Sequence, residues 1–334
     1  MTNKDQDRSL ALIGAAGDTG SQNTNGAISD PLAAITGTIS DDPTLAELIA
    51  FRDSAPNLRQ FAIEAKRCED EAERLWFRLA EGYHLKMARI GLKIMTLSCT
   101  AMVAIWPVDQ VEDADAKQAL AKATAMHGDD TDYAIAPLLD AATAEQIRLH
   151  RAAFAVGELV VPPGPAAPAM TDRGLAAWPL SRFDLVDAVP LEGGNASMGG
   201  TQLIGWSAFV DAYPSLSDLV DRFARMMATA DRLNALAATT TTEEPRLLRR
   251  AAEGARIIAY LTAARAAIWP AMAHSSDAQA KLRLVALVNE RACRGDALHQ
   301  QAAIRHLISE ANAIATQFKL GATLELDPQW IPIV

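Results

Sequence analysis

Basic charge, cysteine and long apolar runs are all scarce in this chain, and each scarcity removes a class of function. Lys and Arg number 31 against 41 Asp and Glu, a formal net charge of −10. Nucleic-acid binding needs clustered Lys and Arg against phosphate, so this balance argues against it. Only three cysteines occur, Cys68, Cys99 and Cys293, far apart and without a CxxC spacing. That excludes a disulfide framework and fits a reducing compartment, so the expected location is the cytoplasm. The longest uncharged apolar run, IMTLSCTAMVAIWPV between Lys93 and Asp109, falls short of the roughly 20 residues of a membrane helix. It reads as a buried core helix, and no membrane span is expected. The start, MTNKDQDRSLALIGAAG, has mixed charge and too weak an apolar run for a secretory leader.

Catalytic signatures are equally thin. No GxSxG, P-loop or HExxH is present, and GGNASMGG around Ser197 has the wrong spacing for a nucleophile turn. The glycines Gly14, Gly17 and Gly20 in ALIGAAGDTGS resemble the phosphate loop of short-chain dehydrogenases. That loop must open an amphipathic helix so that its backbone N–H groups meet a pyrophosphate. Here QNTNGAISDP follows, no βαβ unit is in sight, and no nucleotide or other cofactor is expected.

What the chain does have is alanine, 50% apolar residues overall, and a word used twice. VAIWPVDQVEDADAK at Val103–Lys117 returns as AAIWPAMAHSSDAQAK at Ala266–Lys281. The match extends upstream. Leu85, Ala88, Gly91 and Ile94 recur as Leu248, Ala251, Gly254 and Ile257, all 163 positions later. AFRDSAPNL at Ala50–Leu58 recurs as AFVDAYPSL at Ala208–Leu216, 158 positions later. The five-residue difference falls at TTTTEE, a loop-like stretch where insertions belong. The repeated residues are starts, stops and anchors. The Asp of AFxDxxP is expected to cap a helix, the Trp of IWP to anchor apolar packing, and the Pro to stop the helix. Asp113 and Asp277 are expected to cap the helices that follow.

The fold expected is therefore all-α: a tandem duplicated four-helix unit, as two bundles or one eight-helix pseudo-symmetric body. Residues 1–42, poor in apolar periodicity, are expected to be a disordered leader. Helical repeat 1 spans 43–157, with helices near 54–81, 83–105, 113–127 and 142–157, Gly82 leaving open whether the first two run on as one. A Pro/Gly-rich linker spans 158–200. Helical repeat 2 spans 201–320, with a stripe of Leu216, Leu219, Val220, Phe223, Met226, Met227, Ala230 and Leu233 and helices near 244–268, 277–293 and 296–319. Residues 321–334 form an extended tail expected to dock on the helices.

Titratable candidates for chemistry are few, and the copies do not share them: His84 faces Leu247 and Cys99 faces Thr262. Helical bundles that hold metals in carboxylate and imidazole ligands use Glu-x-x-His pairs. Glu81 with His84, and Asp296 with His299, have that spacing. With six histidines and 41 acids, chance alone supplies roughly 0.7 such pairs. His299, His306 and Glu310 share a helix face, read as a polar face. His84 followed by Lys86 is similar to the site of histidine phosphotransfer bundles, which would require an exposed His84 in mid-helix. Arg246, Arg249, Arg250 and Arg256 form a basic stripe in an acidic chain, open to an acidic partner segment or an anion. The reading is a helical scaffold or protein-interaction protein, binding protein partners or itself. A metal-dependent helical-bundle enzyme and a sensory or phosphorelay bundle stand as alternatives.

Overall fold

A computed structural model describes Ile28 and residues 30–76, 82–126, 135–155, 200–240, 244–272, 275–293, 298–321 and 323–325. The chain is all-α: eleven helices and no strand occur among the described residues. They are α1 Pro31–Gly37, α2 Leu45–Asp53, α3 Leu58–Trp76, α4 Tyr83–Ile105, α5 Val111–Met126 and α6 Ile135–Ala155, then α7 Gly200–Asp211, α8 Leu216–Thr239, α9 Glu244–Ile268, α10 Ser275–Cys293 and α11 Leu298–Phe318.

Two helices form the centre. In α4 every residue from Leu97 to Ile105 is buried, and in α9 every residue from Ile257 to Ala264. A helix apolar on all sides must be enclosed by others. Helices α3 and α8 pack along α4 and α9 respectively, α11 touches both, and the two central helices touch each other. Helix α4 is also long and apolar enough to cross a membrane, and 83% of its most apolar window lies buried inside the bundle.

The short helices cross over. Helix α2, from the first half of the chain, packs on α9 of the second half, and α7, from the second half, packs on α4 of the first. Glycine makes each crossing possible. A Cβ on Gly254 would stand 3.0 Å from the carbonyl carbon of Leu48 and closer still to its oxygen. A Cβ on Gly91 would stand 2.5 Å from Trp206 Cε3 and 3.3 Å from Phe209 Cδ1. Each short helix also reaches the tryptophan that closes its own half. Phe51 lies against Trp106 with centroids 5.3 Å apart and planes at 48°, and Phe209 against Trp269 at 5.4 Å and 46°.

Helix ends follow local chemistry, with corrections to the sequence reading. Helix α2 starts with a capping box in which Glu47 N donates to Thr44 Oγ1 and Thr44 N donates to Glu47 Oε2. The repeated Asp of AFxDxxP caps nothing at a helix start. Asp53 and Asp211 are the last residues of α2 and α7, and the caps of α3 and α8 come four residues later. Gln60 N donates to Asn57 Oδ1 and Asp218 N to Ser215 Oγ. Gly82 is extended, with φ −83° and ψ 148°, so α4 starts afresh there. Among the described residues five helices lie between residues 43 and 157 and five between residues 200 and 320, where four each were expected, because α2 and α7 are helices in their own right; α1 lies before them. The expected disordered leader is corrected over residues 30–42. Asp30 caps α1 through Leu32 N at 2.9 Å, and Leu32 and Ile35 are fully buried. An Asp-Pro start with one apolar pair is too short for a periodicity to reveal. Residues 1–27, the linker core at 156–199 and the tail beyond Glu325 lie outside the described residues. The start of the tail does dock: Leu324 is buried and exchanges two hydrogen bonds with the Asn312 amide, at 2.8 and 3.0 Å.

Candidate functional site

Proline stops the two central helices at the same word, and the stop creates an unusual demand. The last carbonyls of a helix have no partner, and here they are buried. Lys117 Nζ donates to Ala104 O at 3.1 Å, and Lys281 Nζ to Ala267 O at 2.7 Å. Both lysines are 1% exposed. A cation at a helix C-terminus also meets the negative end of the helix dipole. Burial nevertheless dominates: it pulls both ammonium groups down to about 7, against the opposing charge of Asp113 or Asp277 one turn earlier. Asp113 secures the loop by accepting from Asp109 N and Gln110 N, both at 3.1 Å. Gln300 Nε2 donates to Ile105 O at 3.2 Å, and Tyr213 Oη to Pro270 O at 2.8 Å. These lysines are enclosed C-caps. The only sequence signal for them is that a cation, Lys117 or Lys281, recurs in an otherwise apolar and capping word.

Of the expected metal ligands, the two among the described residues, His84 and His299, do not come together. Glu81 and Asp296 lie outside the described residues. His84 lies in the first turn of α4, exposed, while His299 opens α11. Gln300, next to His299, bonds the C-terminal carbonyl of α4. The two histidines therefore stand near opposite ends of a 23-residue helix, about 30 Å apart at 1.5 Å per residue. No group of three or more metal-ligating side chains occurs among the described residues. His84 Nδ1 lies 2.7 Å from Ser207 Oγ, which itself donates to Leu203 O, so the imidazole is the donor. An exposed His84 beside Lys86 matches half of the phosphotransfer pattern, but the residue is at a helix start and engaged with α7. His299 is held down to about 4 by burial and then by Lys117, and His306 to about 4 by burial alone. His306 is 8% exposed, which corrects its placement on a polar face: it faces the core as a neutral imidazole. Cys68 and Cys99 are buried thiols, as their apolar surroundings predict. Burial pushes Cys68 up to about 12 and Cys99 well above its ordinary range.

The arginine stripe does come together with other groups. Arg246, Arg249 and Arg250 line an open groove of about 840 Å³ together with Arg52, Asp53, Asp109 and Glu253, of which Arg52 and Asp109 lie deepest. Arg52 is the keystone. Its two terminal nitrogens donate to the two Asp109 carboxylate oxygens at 2.5 and 2.6 Å, and its Nε lies 3.0 Å from Glu253. Burial opposes its charge, but the contacts with Asp109 and Glu253 outweigh that and hold the guanidinium well above its ordinary value. Arg250 Nε donates to Asp53 at 2.6 Å. Arg246 and Arg249 are exposed and make no ion pair among the described residues. The groove joins both halves of the chain: α2 and the Pro107–Gln110 loop on one side, α9 on the other. Its deepest part was not legible in sequence, because Arg52 pairs with residues 57 and about 200 positions away.

Comparison with known proteins returns no matching family model, no matching curated protein and no matching solved structure.

Proposed function

We propose that the chain is a tandem duplication folded as an intramolecular pseudo-dimer, acting as a helical scaffold that presents the arginine groove to a protein partner. The observation that carries the architectural half is the repetition of geometry at recurring residues. Lys117 to Ala104 matches Lys281 to Ala267, the Phe51–Trp106 pair matches Phe209–Trp269, and Gly91 under α7 matches Gly254 under α2. Sequence similarity from shared helical periodicity would not reproduce ring angles and capping bonds. The unit is five helices, with the first helix of each copy exchanged onto the other copy. On this reading the copies fall at residues 43–157 and 201–320, and the stretch between them is a linker.

The functional half is supported by where the copies differ. Core anchors and caps are kept, while charged surface side chains are not, as a scaffold with specialised faces requires. Two free, buried thiols, Cys68 and Cys99, are in keeping with a cytoplasmic protein. The net charge of −10 supports a protein partner over nucleic acid. The rival is a metal-dependent bundle enzyme using Glu81, His84, Asp296 and His299. The discriminating experiment is elemental analysis of protein purified without an affinity tag for metals or a chelator. The scaffold reading expects no stoichiometric iron, manganese or zinc. A metal at one equivalent, lost in His84→Ala or His299→Ala, would replace it with the rival.

A further inference from the structure

Two arginines of the groove, Arg246 and Arg249, make no ion pair that holds the fold together among the described residues. On the duplication reading, on which this inference rests, the corresponding crossing of α7 over α4 has Val210, Tyr83, Lys86 and Met87 where the groove has Arg52, Arg246, Arg249 and Arg250. The glycine seats and the Trp–Phe pairs are the same at both ends. One crossing is thus held by packing without the arginines, and the other carries four of them on the same frame. At that second crossing Tyr83 Oη donates to Asp211 at 3.1 Å, where the groove has Arg250 on Asp53. The aspartate recurs and its cationic partner does not.

We infer that this groove is a docking site for an acidic segment of a partner protein, with Arg246 and Arg249 as the charge-reading residues. Four arginines against three carboxylates give the groove a local positive excess in a chain of net charge −10. Two of the arginines are already spent: Arg52 on Asp109 and Glu253, and Arg250 on Asp53. The remaining two are exposed and one helical turn apart, which places their Cβ atoms about 5–6 Å from each other. A compact multivalent anion requires several guanidinium groups converging on one point, and here the groove's own carboxylates would repel it. A chain carrying successive Asp or Glu side chains brings one carboxylate to each rim arginine and keeps the rest of its charge away from those carboxylates. The groove is open to solvent, which admits a segment of chain, and Leu247, between the two rim arginines in sequence, is 49% exposed.

The test uses the full chain and a fluorescein-labelled hexaglutamate peptide, followed by anisotropy at low ionic strength. The expected result is saturable binding that weakens about tenfold in Arg246→Ala/Arg249→Ala, the size of two lost charge pairs. Lys86→Ala, at the corresponding place on the other crossing, is expected to leave the affinity within about twofold. Both arginines are exposed, so circular dichroism should show the double variant folded as the parent. Equal binding by parent and double variant, or no binding by the parent, overturns the inference. So does arginine-dependent binding of inorganic pyrophosphate without binding of the peptide, which would make the groove a small-anion site. None of these outcomes touches the two-copy frame, which is tested separately through the seating of α2 on α9.

Discussion

Gly254→Ala should loosen a helix just over 200 residues away in sequence. On an isolated helix the change is favourable by about 1 kcal/mol, because alanine is the better helix former. In this fold the added methyl would overlap the Leu48 carbonyl and stand 3.5 Å from Arg52 Cβ. A backbone carbonyl within a capped helix cannot rotate away, so α2 must retreat bodily. Overpacking of this kind costs about 1–3 kcal/mol, and a rigid neighbour belongs at the upper end, leaving a net loss of about 2 kcal/mol once the propensity gain is subtracted. Urea denaturation measures the total. Hydrogen exchange locates it: the amides of Leu45–Asp53 should lose protection more than those of α9, which carries the mutation. Gly91→Ala should cost stability as well, because its methyl meets the ring of Trp206, which is fully buried. A Gly254→Ala protein that is more stable by about the propensity gain, with α2 protection unchanged, would refute the crossing.

The buried lysines and histidines set an unusual pH profile. In the unfolded chain the lysines hold their protons to about 10.5 and in the fold only to about 7, so above pH 7 the unfolded state binds more protons and stability rises with pH. The slope is about 1.4 kcal/mol per pH unit for each lysine. Above about pH 9 the unfolded chain also gives up the thiol protons that buried Cys68 and Cys99 retain, which opposes the rise. Thermal unfolding should therefore show a gain from pH 7 to 9 that flattens beyond, and Lys117→Met/Lys281→Met should abolish the gain; a parent protein with no slope between pH 7 and 9 would contradict the enclosed C-caps. His299 and His306 titrate near 6.5 when unfolded and near 4 when folded, so stability present above pH 6.5 should fall as pH drops toward 4. His306→Gln should shrink that fall.

Local patterns were legible in the sequence and long-range ones were not. The expected helix at residues 244–268 is the observed α9, Glu244–Ile268, because a charged start, an unbroken apolar register and a Trp-Pro stop are all written within it. The stripe from Leu216 to Leu233 is buried as read. The cap positions slipped, since an Asp at a helix end and an Asp at a helix start look alike until the next turn is placed. The recurring words are visible in the sequence, but the packing of α2 on α9 and of α7 on α4 is not, because it depends on which glycine seat each short helix finds. Lys117 and Lys281 were visible as recurring residues, yet burial of a lysine runs against its ordinary preference. Only the orphaned carbonyls left by Pro107 and Pro270 explain it. The arginine stripe was read from spacing along one helix; Arg52, Asp53 and Asp109, which turn the stripe into a groove, come from elements that no periodicity connects.

The exchange of the first helices is the central claim, and dividing the chain tests it directly. Two fragments, residues 1–178 and 179–334, would be produced together and examined by size-exclusion chromatography with light scattering. If each half donates a helix to the other, the fragments should co-purify as a one-to-one complex with the helical content and cooperative unfolding of the intact chain. Two fragments that elute separately, each a folded monomer, would contradict the account.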